Sequence, residues 1–401
     1  MSEAPYFITL DEALDISFQT RIEIGTESCT LDGAHNRILA VPLPSKVDDP
    51  PFDNSAMDGF AMRYEDTLKP PTKLEIIGTV SAAKQTNLPE VKTGQTVRIM
   101  TGAPLPSTCD SILQIELCEV DGDTLTIQEE SKKHFVRKMG ENLQKDKQIL
   151  SSGTILTPAR IGLCATMGYE KIPVVQKMKV AIISTGDELK QPGEELEYGQ
   201  IYESNSYGLA ALVRWLGHEP VRMHSVADTM EELRETLDVA AQQCDLILTS
   251  GGVSMGEWDL VRKIMEEEGD VHFWRVKIRP GSPPLFGKWK NTPLFGLPGN
   301  PVSSHVVFRM LVAPWIREVT GAQGPTEMKT SAKLMTKIKS TNDCITLRRV
   351  SIETIDGELI ASNKIHQGSG NIASLAFSEG LTLLQPGQHP KIGDLVDVLI
   401  L

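Results

Sequence analysis

The ten residues SGGVSMGEWD, Ser250–Asp259, govern how the chain is read. They follow Cys244–Thr249 (CDLILT), an apolar run that reads as a buried strand, and precede Leu260–Glu268, whose composition is helical. A strand-to-helix loop with two adjacent glycines and two serines can turn its backbone N–H groups toward an anion. The same loop ends on Glu257 and Asp259, carboxylates that repel an anion unless a metal ion lies between. Anion donors and hard oxygens in one loop suggest a phosphate-bearing ligand handled with Mg²⁺.

On either side of this loop, residues 178–320 alternate strand and helix. Lys179–Ser184 (KVAIIS) reads as a buried strand, and Glu203–Leu216 as a helix with an apolar stripe at Leu209, Leu212, Val213 and Leu216, stopped by Gly217. Pro220–Val226 is a second strand. Thr229, with Glu232 three residues on, forms a capping-box pattern that opens a helix. Strands at Asp245–Thr249, Val271–Ile278 and Pro293–Leu297, and a last helix from about Pro301 to Thr320, complete the series. This pattern predicts a doubly wound, largely parallel α/β sheet over 178–326. Residues 46–146 carry short β-like runs (Leu74–Val80, Thr96–Met100, Ser111–Val120, Thr124–Gln128) and predict an inserted mainly-β module. Amphipathic stretches Thr9–Ile16 and Pro158–Met167 predict a helical domain made of 1–45 and 147–177, to which the family resemblance given below adds a dimerisation role. After the linker Gly321–Thr330, the alternation of apolar and polar residues over 331–401 suits a small β-barrel or sandwich, taken as a barrel domain over 327–401.

In an open α/β sheet, ligands bind beyond the carboxyl ends of the strands. Four polar elements fall there: Thr185-Gly186-Asp187-Glu188-Leu189, Asp228, the Ser250–Ser254 loop, and Leu297–Ser304 (LPGNPVSS). Each alone also reads as an ordinary turn or helix entry, with Pro301 merely opening a helix. Their joint placement carries the functional reading. Asp187, Glu188, Asp228 and Asp259 supply oxygens of the kind Mg²⁺ prefers. In a strand, Arg275, Lys277 and Arg279 would share one face and form a local anion site or a solvated face. The segment PFDNSAMDGFA (51–61) offers Asp53, Asn54, Ser55 and Asp58 either to a ligand or to its own loop, and residue chemistry leaves both open.

A net charge of −13 excludes a general nucleic-acid binder. Six scattered cysteines without a CxxC pair indicate neither a disulfide framework nor a zinc knuckle. The N-terminus lacks a leader pattern and no apolar stretch is long enough to span a bilayer, so a soluble cytoplasmic protein is expected.

PFDNSAMDGFA (51–61), VRIMTGAPLP (97–106), STGDEL (184–189), SNS (204–206), SGGVSMGEWD (250–259), LPGNPVSS (297–304) and GSGNIASLA (368–376) together resemble the MoeA family of molybdopterin molybdenumtransferases, which includes the E domains of gephyrin and the plant molybdenum insertase. The resemblance implies four subdomains around a MogA-like α/β domain. It also implies an elongated homodimer in which the 46–146 module of one protomer closes the active site of the other. The implied reaction is Mg²⁺-dependent insertion of molybdate into adenylylated molybdopterin (molybdopterin-AMP), with release of AMP. By motif position, Asp187, Glu188, Asp259, Arg275 and Arg279 resemble catalytic groups, with Glu188, Asp228 and Asp259 as metal ligands. Thr101, Gly251, Gly252, Ser254, Pro298, Asn300, Pro301, Ser369 and Asp58 resemble substrate-binding positions. Asn142, Arg275 with Arg279, and Ser282 depart from the family pattern, which has Asp, Lys and Lys there.

Four other readings compete. They are a tungstate-preferring paralogue, a MogA-like adenylyltransferase or CinA-like nucleotide pyrophosphatase built on the α/β unit, and a non-catalytic dimeric scaffold. Expected partners are the molybdopterin adenylyltransferase upstream and molybdoenzyme maturation proteins downstream, with neither nucleic acid nor membrane.

Overall fold

The structure, a computed structural model, describes residues 4–83, 87–223, 229–254, 259–324 and 327–401. At its centre is a seven-stranded sheet. In spatial order its strands are Tyr6–Ile8, Asp270–Val276, Leu285–Trp289, Thr292–Leu297, Leu246–Ser250, Lys179–Ser184 and Glu219–Arg222. The last four run parallel, and Leu285–Trp289 is antiparallel to both of its neighbours. Side chains alternate across the sheet, so Val180 and Ile182 enter one core while Ala181 and Ile183 enter the other. The first core is covered by helices Leu10–Phe18 and Asn205–Trp215 and by the long C-terminal helical run. That run comprises Pro301–Val307, a π turn at Phe308–Val312 and Ala313–Val319. The second core is covered by Met230–Gln243 and Leu260–Glu267, giving helices on both faces. Thr229 caps its helix by accepting the Glu232 N–H, in line with the capping signal.

Two sheet strands lie outside the expected series. Leu285–Trp289 joins Thr292–Leu297 through a turn at Lys290, whose φ is +55°. Sequence periodicity does not mark it, because a five-residue apolar run fits a buried helix segment equally well. Tyr6–Ile8 pairs parallel with Trp274 and Val276. The following helix, capped by a reciprocal Thr9–Glu12 box, packs on the α/β core, where Trp315 donates to Ser17 O and Thr20 O.

The expected helical domain of 1–45 and 147–177 is therefore less helical than its amphipathic stretches suggest. With the first helix given over to the central sheet, the remainder holds one α-helix, Pro158–Thr166, among the described residues. Strand pairs Thr26–Thr30 with Lys171–Val175, and Leu43–Pro44 with Gln148–Leu150, build the rest around a core of Leu39, Leu156, Cys164 and Ile172. The 46–146 segment forms a six-stranded sheet and has no α-helix among its described residues. Lys329–Leu334, Glu358–Ser362, Arg349–Ile355, Gly380–Thr382 and Leu395–Ile400 close a five-stranded barrel. No helix among the described residues is long and apolar enough to cross a membrane.

Candidate functional site

The parallel strands Lys179–Ser184, Leu246–Ser250 and Thr292–Leu297 all end on one side of the sheet, and a cleft of about 810 Å³ opens there. Gly251, Gly252 and Ser254 form one wall, with Asp259 beyond them. The glycines are required by backbone conformation, with φ of +104° at Gly251 and +68° at Gly252. A Cβ on Gly251 would lie 2.8 Å from Thr185 Oγ1 and 3.0 Å from Thr185 O. Pro298, Asn300 and Pro301 form the facing turn, where Pro301 begins the helix and Ser304 Oγ donates to Pro298 O. Glu188 enters from the Thr185–Leu189 turn, and Asp187 is exposed on the same turn without lining the cleft.

Arg275 and Arg279 supply the positive charge of the cleft. The expected single cationic strand face is not what places them. Arg275 has φ +67°, the strand ends at Val276, and Ile278–Arg279 pairs instead with Ile345–Thr346 of the C-terminal region. Regular alternation is therefore broken, and Lys277 does not line the cleft; its Nζ lies 5.7 Å from the Phe7 ring centroid. Arg275 Nη1 donates to Tyr6 Oη at 2.6 Å, so the N-terminal strand orients this guanidinium.

The barrel closes the far side. Ser369 lines the cleft, and its carbonyl accepts from Val302 N at 3.1 Å. The Arg349 guanidinium, 1% exposed, donates to His366 O and Gly368 O and so holds the chain leading to Ser369. Burial pushes the Arg349 pKa down to about 10, with the neighbouring Arg348 charge adding to the effect. Ser282, also in the cleft wall, donates to Val276 O and is 4% exposed.

Two further sequence-singled positions do not line this cleft. Asp58 and Thr101 lie together on the 46–146 module, where Asp58 Oδ1 accepts from Thr101 N (2.7 Å) and Oγ1 (3.0 Å). The Thr101 N–H, then its hydroxyl, hold the Asp58 carboxyl below its ordinary value. Asp228 lies outside the described residues. Within PFDNSAMDGFA, Asp53 binds Lys138 Nζ and Met139 N, and Ser55 Oγ donates to Met57 O, so these two polar groups build the loop. Asp58 is the exposed carboxylate they present. Asn142 Nδ2 donates to Asp49 Oδ2 at 3.0 Å, a bond a carboxylate at that position could not make. Asn205, which sequence reasoning placed only within a family motif, bonds to both principal loops of the cleft. Its one legible signal was an Asn at the opening of a helix that follows the first strand.

Among the described residues no group of three or more His, Cys, Asp or Glu forms a metal-type cluster. Glu188 and Asp259 nevertheless share the cleft with anion-type donors. Two carboxylates fit Mg²⁺, which commonly takes one or two from the protein and completes its shell with water and substrate phosphate.

The chain matches three family models in order. They are the MoeA N-terminal region (domain I and II) over residues 8–168, a probable molybdopterin binding domain over 181–318, and the MoeA C-terminal region (domain IV) over 331–401. It is 38% identical over 317 residues to a molybdopterin molybdenumtransferase of Haemophilus influenzae, covering 78% of each chain. It is 35% identical over 388 residues to that of Nostoc sp., covering 94% of this chain and 88% of the relative. A crystal structure of a molybdopterin biosynthesis MoeA protein from Pyrococcus horikoshii superposes with a TM-score of 0.84 at 29% identity, covering 98% of this chain and all of that one. The chain belongs to the MoeA family of molybdopterin molybdenumtransferases.

Proposed function

We propose that the protein inserts molybdenum from molybdate into adenylylated molybdopterin and releases AMP. The observation that carries this reading is a single cleft uniting a glycine loop suited to anions, two guanidinium groups and two hard carboxylates. The Gly251–Ser254 segment binds phosphate through backbone N–H and hydroxyl groups. Arg275 and Arg279 hold a tetrahedral dianion by charge-assisted hydrogen bonds. Glu188 and Asp259, with Asp228 as the third ligand that the family resemblance implies, would hold Mg²⁺, and the bound ion would supply positive charge to the phosphoanhydride. Water then bonds to the pterin-side phosphorus and gives up a proton while the bridging P–O bond opens, so that the bridging oxygen leaves with AMP and the pterin keeps its phosphate.

Asp58 and Thr101 belong to this reading through a second protomer. They are paired and exposed on the inserted module yet absent from the lining of their own chain's cleft. A homodimer that places one module over the other's cleft gives both a ligand-facing role. The smaller adenylyltransferase and pyrophosphatase readings leave that module and the barrel unused, whereas an enzyme of Bacillus subtilis named molybdopterin molybdenumtransferase aligns with 98% of this chain. The protein would receive its substrate from a molybdopterin adenylyltransferase and pass its product to molybdoenzyme maturation proteins.

The test is AMP release from adenylylated molybdopterin, titrated with molybdate, tungstate and Mg²⁺. Release should require Mg²⁺ and an oxyanion and collapse in Glu188→Ala and in Asp259→Ala. Full turnover in both variants would refute the assignment, and a preference for tungstate would redirect the substrate.

A further inference from the structure

We propose that Asn205 is a positioning residue that latches the two principal loops of the cleft to each other, carried on a helix start that the buried carboxylate of Glu203 anchors. The catalytic part of this inference rests on the transferase reading above; the latch itself does not.

Asn205 opens the helix Asn205–Trp215 and stands behind the cleft without lining it. Its amide nitrogen donates to Ser250 Oγ at 2.7 Å and to Gly299 O at 2.7 Å. A carbonyl oxygen only accepts, so the second bond fixes which way the amide points. Ser250 leads into the glycine loop, and Gly299 sits in the facing Pro-Gly-Asn turn. The strands beneath are parallel neighbours whose register ends at Ser250 opposite Leu297, followed by Gly251 N donating to Leu297 O at 3.0 Å. Asn205 carries the coupling beyond the end of that ladder, where the loops approach closely enough that a Cβ on Gly299 would lie 3.6 Å from Gly251 Cα.

The latch is itself anchored. Glu203 is 2% exposed. Its Oε1 accepts from Ser206 N (2.7 Å) and Ser184 Oγ (2.9 Å), and its Oε2 from Ser206 Oγ (2.6 Å). Arg222 Nε donates to the same Ser206 hydroxyl at 2.8 Å. The first turn of the helix is thus tied to the ends of strands Lys179–Ser184 and Glu219–Arg222, while Asn205 reaches the next two strand ends. One helix start registers four strand ends around one cleft. For a ligand gripped by both loops, this fixes the distance between its phosphate and its reacting group.

Two variants test the latch. Asn205→Ala removes both bonds, and Asn205→Asp keeps the size but turns a carboxylate toward the Gly299 carbonyl. Hydrogen exchange should accelerate at the amides of 250–254 and 299–302 and stay unchanged in the helix Met230–Gln243. In the AMP-release assay, kcat should fall on the order of 10²-fold, the scale of a 1 Å misplacement, with KM changed only a few-fold and the melting temperature retained. Adding Ser250→Ala to Asn205→Ala should cost little more, because the two share one bond. Unchanged exchange in both loops overturns the latch, as does a kcat loss that merely follows loss of folded protein. A wild-type protein that releases no AMP would refute the proposed reaction, while the exchange result would still decide the latch.

Discussion

Two glycines of the cleft look equivalent in sequence, yet alanine should destabilise the protein at Gly251 and be nearly neutral at Gly299. At Gly251 the backbone has φ +104°, and an added Cβ would meet Thr185 Oγ1 at 2.8 Å and the Thr185 carbonyl at 3.0 Å. Holding a non-glycine residue in such a conformation costs roughly 1–3 kcal/mol. The backbone carbonyl cannot rotate aside, so the contact adds to this, and a total loss of about 2–4 kcal/mol follows. At about 2–4 °C per kcal/mol for a domain of this size, the melting temperature should drop by about 4–16 °C. Gly299 has no positive φ, and its added Cβ would meet only Gly251 Cα at 3.6 Å, an ordinary contact. Gly299→Ala should stay within about 0.5 kcal/mol of wild type, the usual range for a substitution that meets no strain. Thermal melts and urea titrations of both variants give the comparison. If Gly251→Ala were as stable as wild type, or Gly299→Ala lost as much, the conformational argument for the loop would be refuted.

Three further outcomes are expected. His218 is 6% exposed, its Nδ1 accepts from Met178 N, and burial pushes its pKa down from 6.5 to about 4. The folded state therefore favours neutral His218, so its contribution is complete above pH 6.5 and is lost as pH falls toward 4, by about 3 kcal/mol in all. His218→Gln, which keeps an acceptor for the Met178 N–H, should flatten that part of a stability–pH profile measured in urea. Arg309 and Glu327 form a buried ion pair at the barrel junction, with Arg309 also donating to Ile400 O. Glu327→Leu should cost about 3–5 kcal/mol by stranding the guanidinium, whereas Arg309→Met with Glu327→Leu should recover most of the loss in the same melts. Mixing Asp58→Ala protein with Glu188→Ala protein should restore part of the AMP-release activity that each lacks, and no recovery on subunit exchange would count against a site shared between protomers.

How much of this was legible depended on the range of the interactions involved. Lys179–Ser184 forms the strand its composition predicts, and Thr229 caps the helix it was expected to open, because both signals are local. The gathering of Glu188, the glycine loop and the Leu297–Ser304 turn in one cleft followed from a topological rule, since parallel strands bring their carboxyl ends to the same side. The Tyr6–Ile8 strand was not legible, because its partner lies some 268 residues away by the Tyr6–Trp274 pairing and three residues carry no period. Asn205 was hidden for a related reason. An Asn at a helix start ordinarily reads as a local cap, and only the folded sheet shows that it spends its amide on two distant loops.

Arg275 and Arg279 line the cleft by a route other than the one strand alternation predicts. Strand alternation would put Arg275, Lys277 and Arg279 on one face, and it fails at Arg275, whose φ is +67°. Arg275 and Arg279 still reach the cleft because separate elements hold them. Tyr6 Oη accepts from Arg275, and Leu347 N, from the C-terminal region, donates to the Arg279 carbonyl at 2.7 Å. Ser369 arrives by a third route, through the buried Arg349 and the Val302 N–H. The α/β unit therefore supplies the glycine loop and the carboxylates, while the N-terminal strand and the C-terminal region help set the arginines and the far wall. That division explains why the cleft's charge pattern depends on nearly the whole chain, although the loop that identifies it is ten residues long.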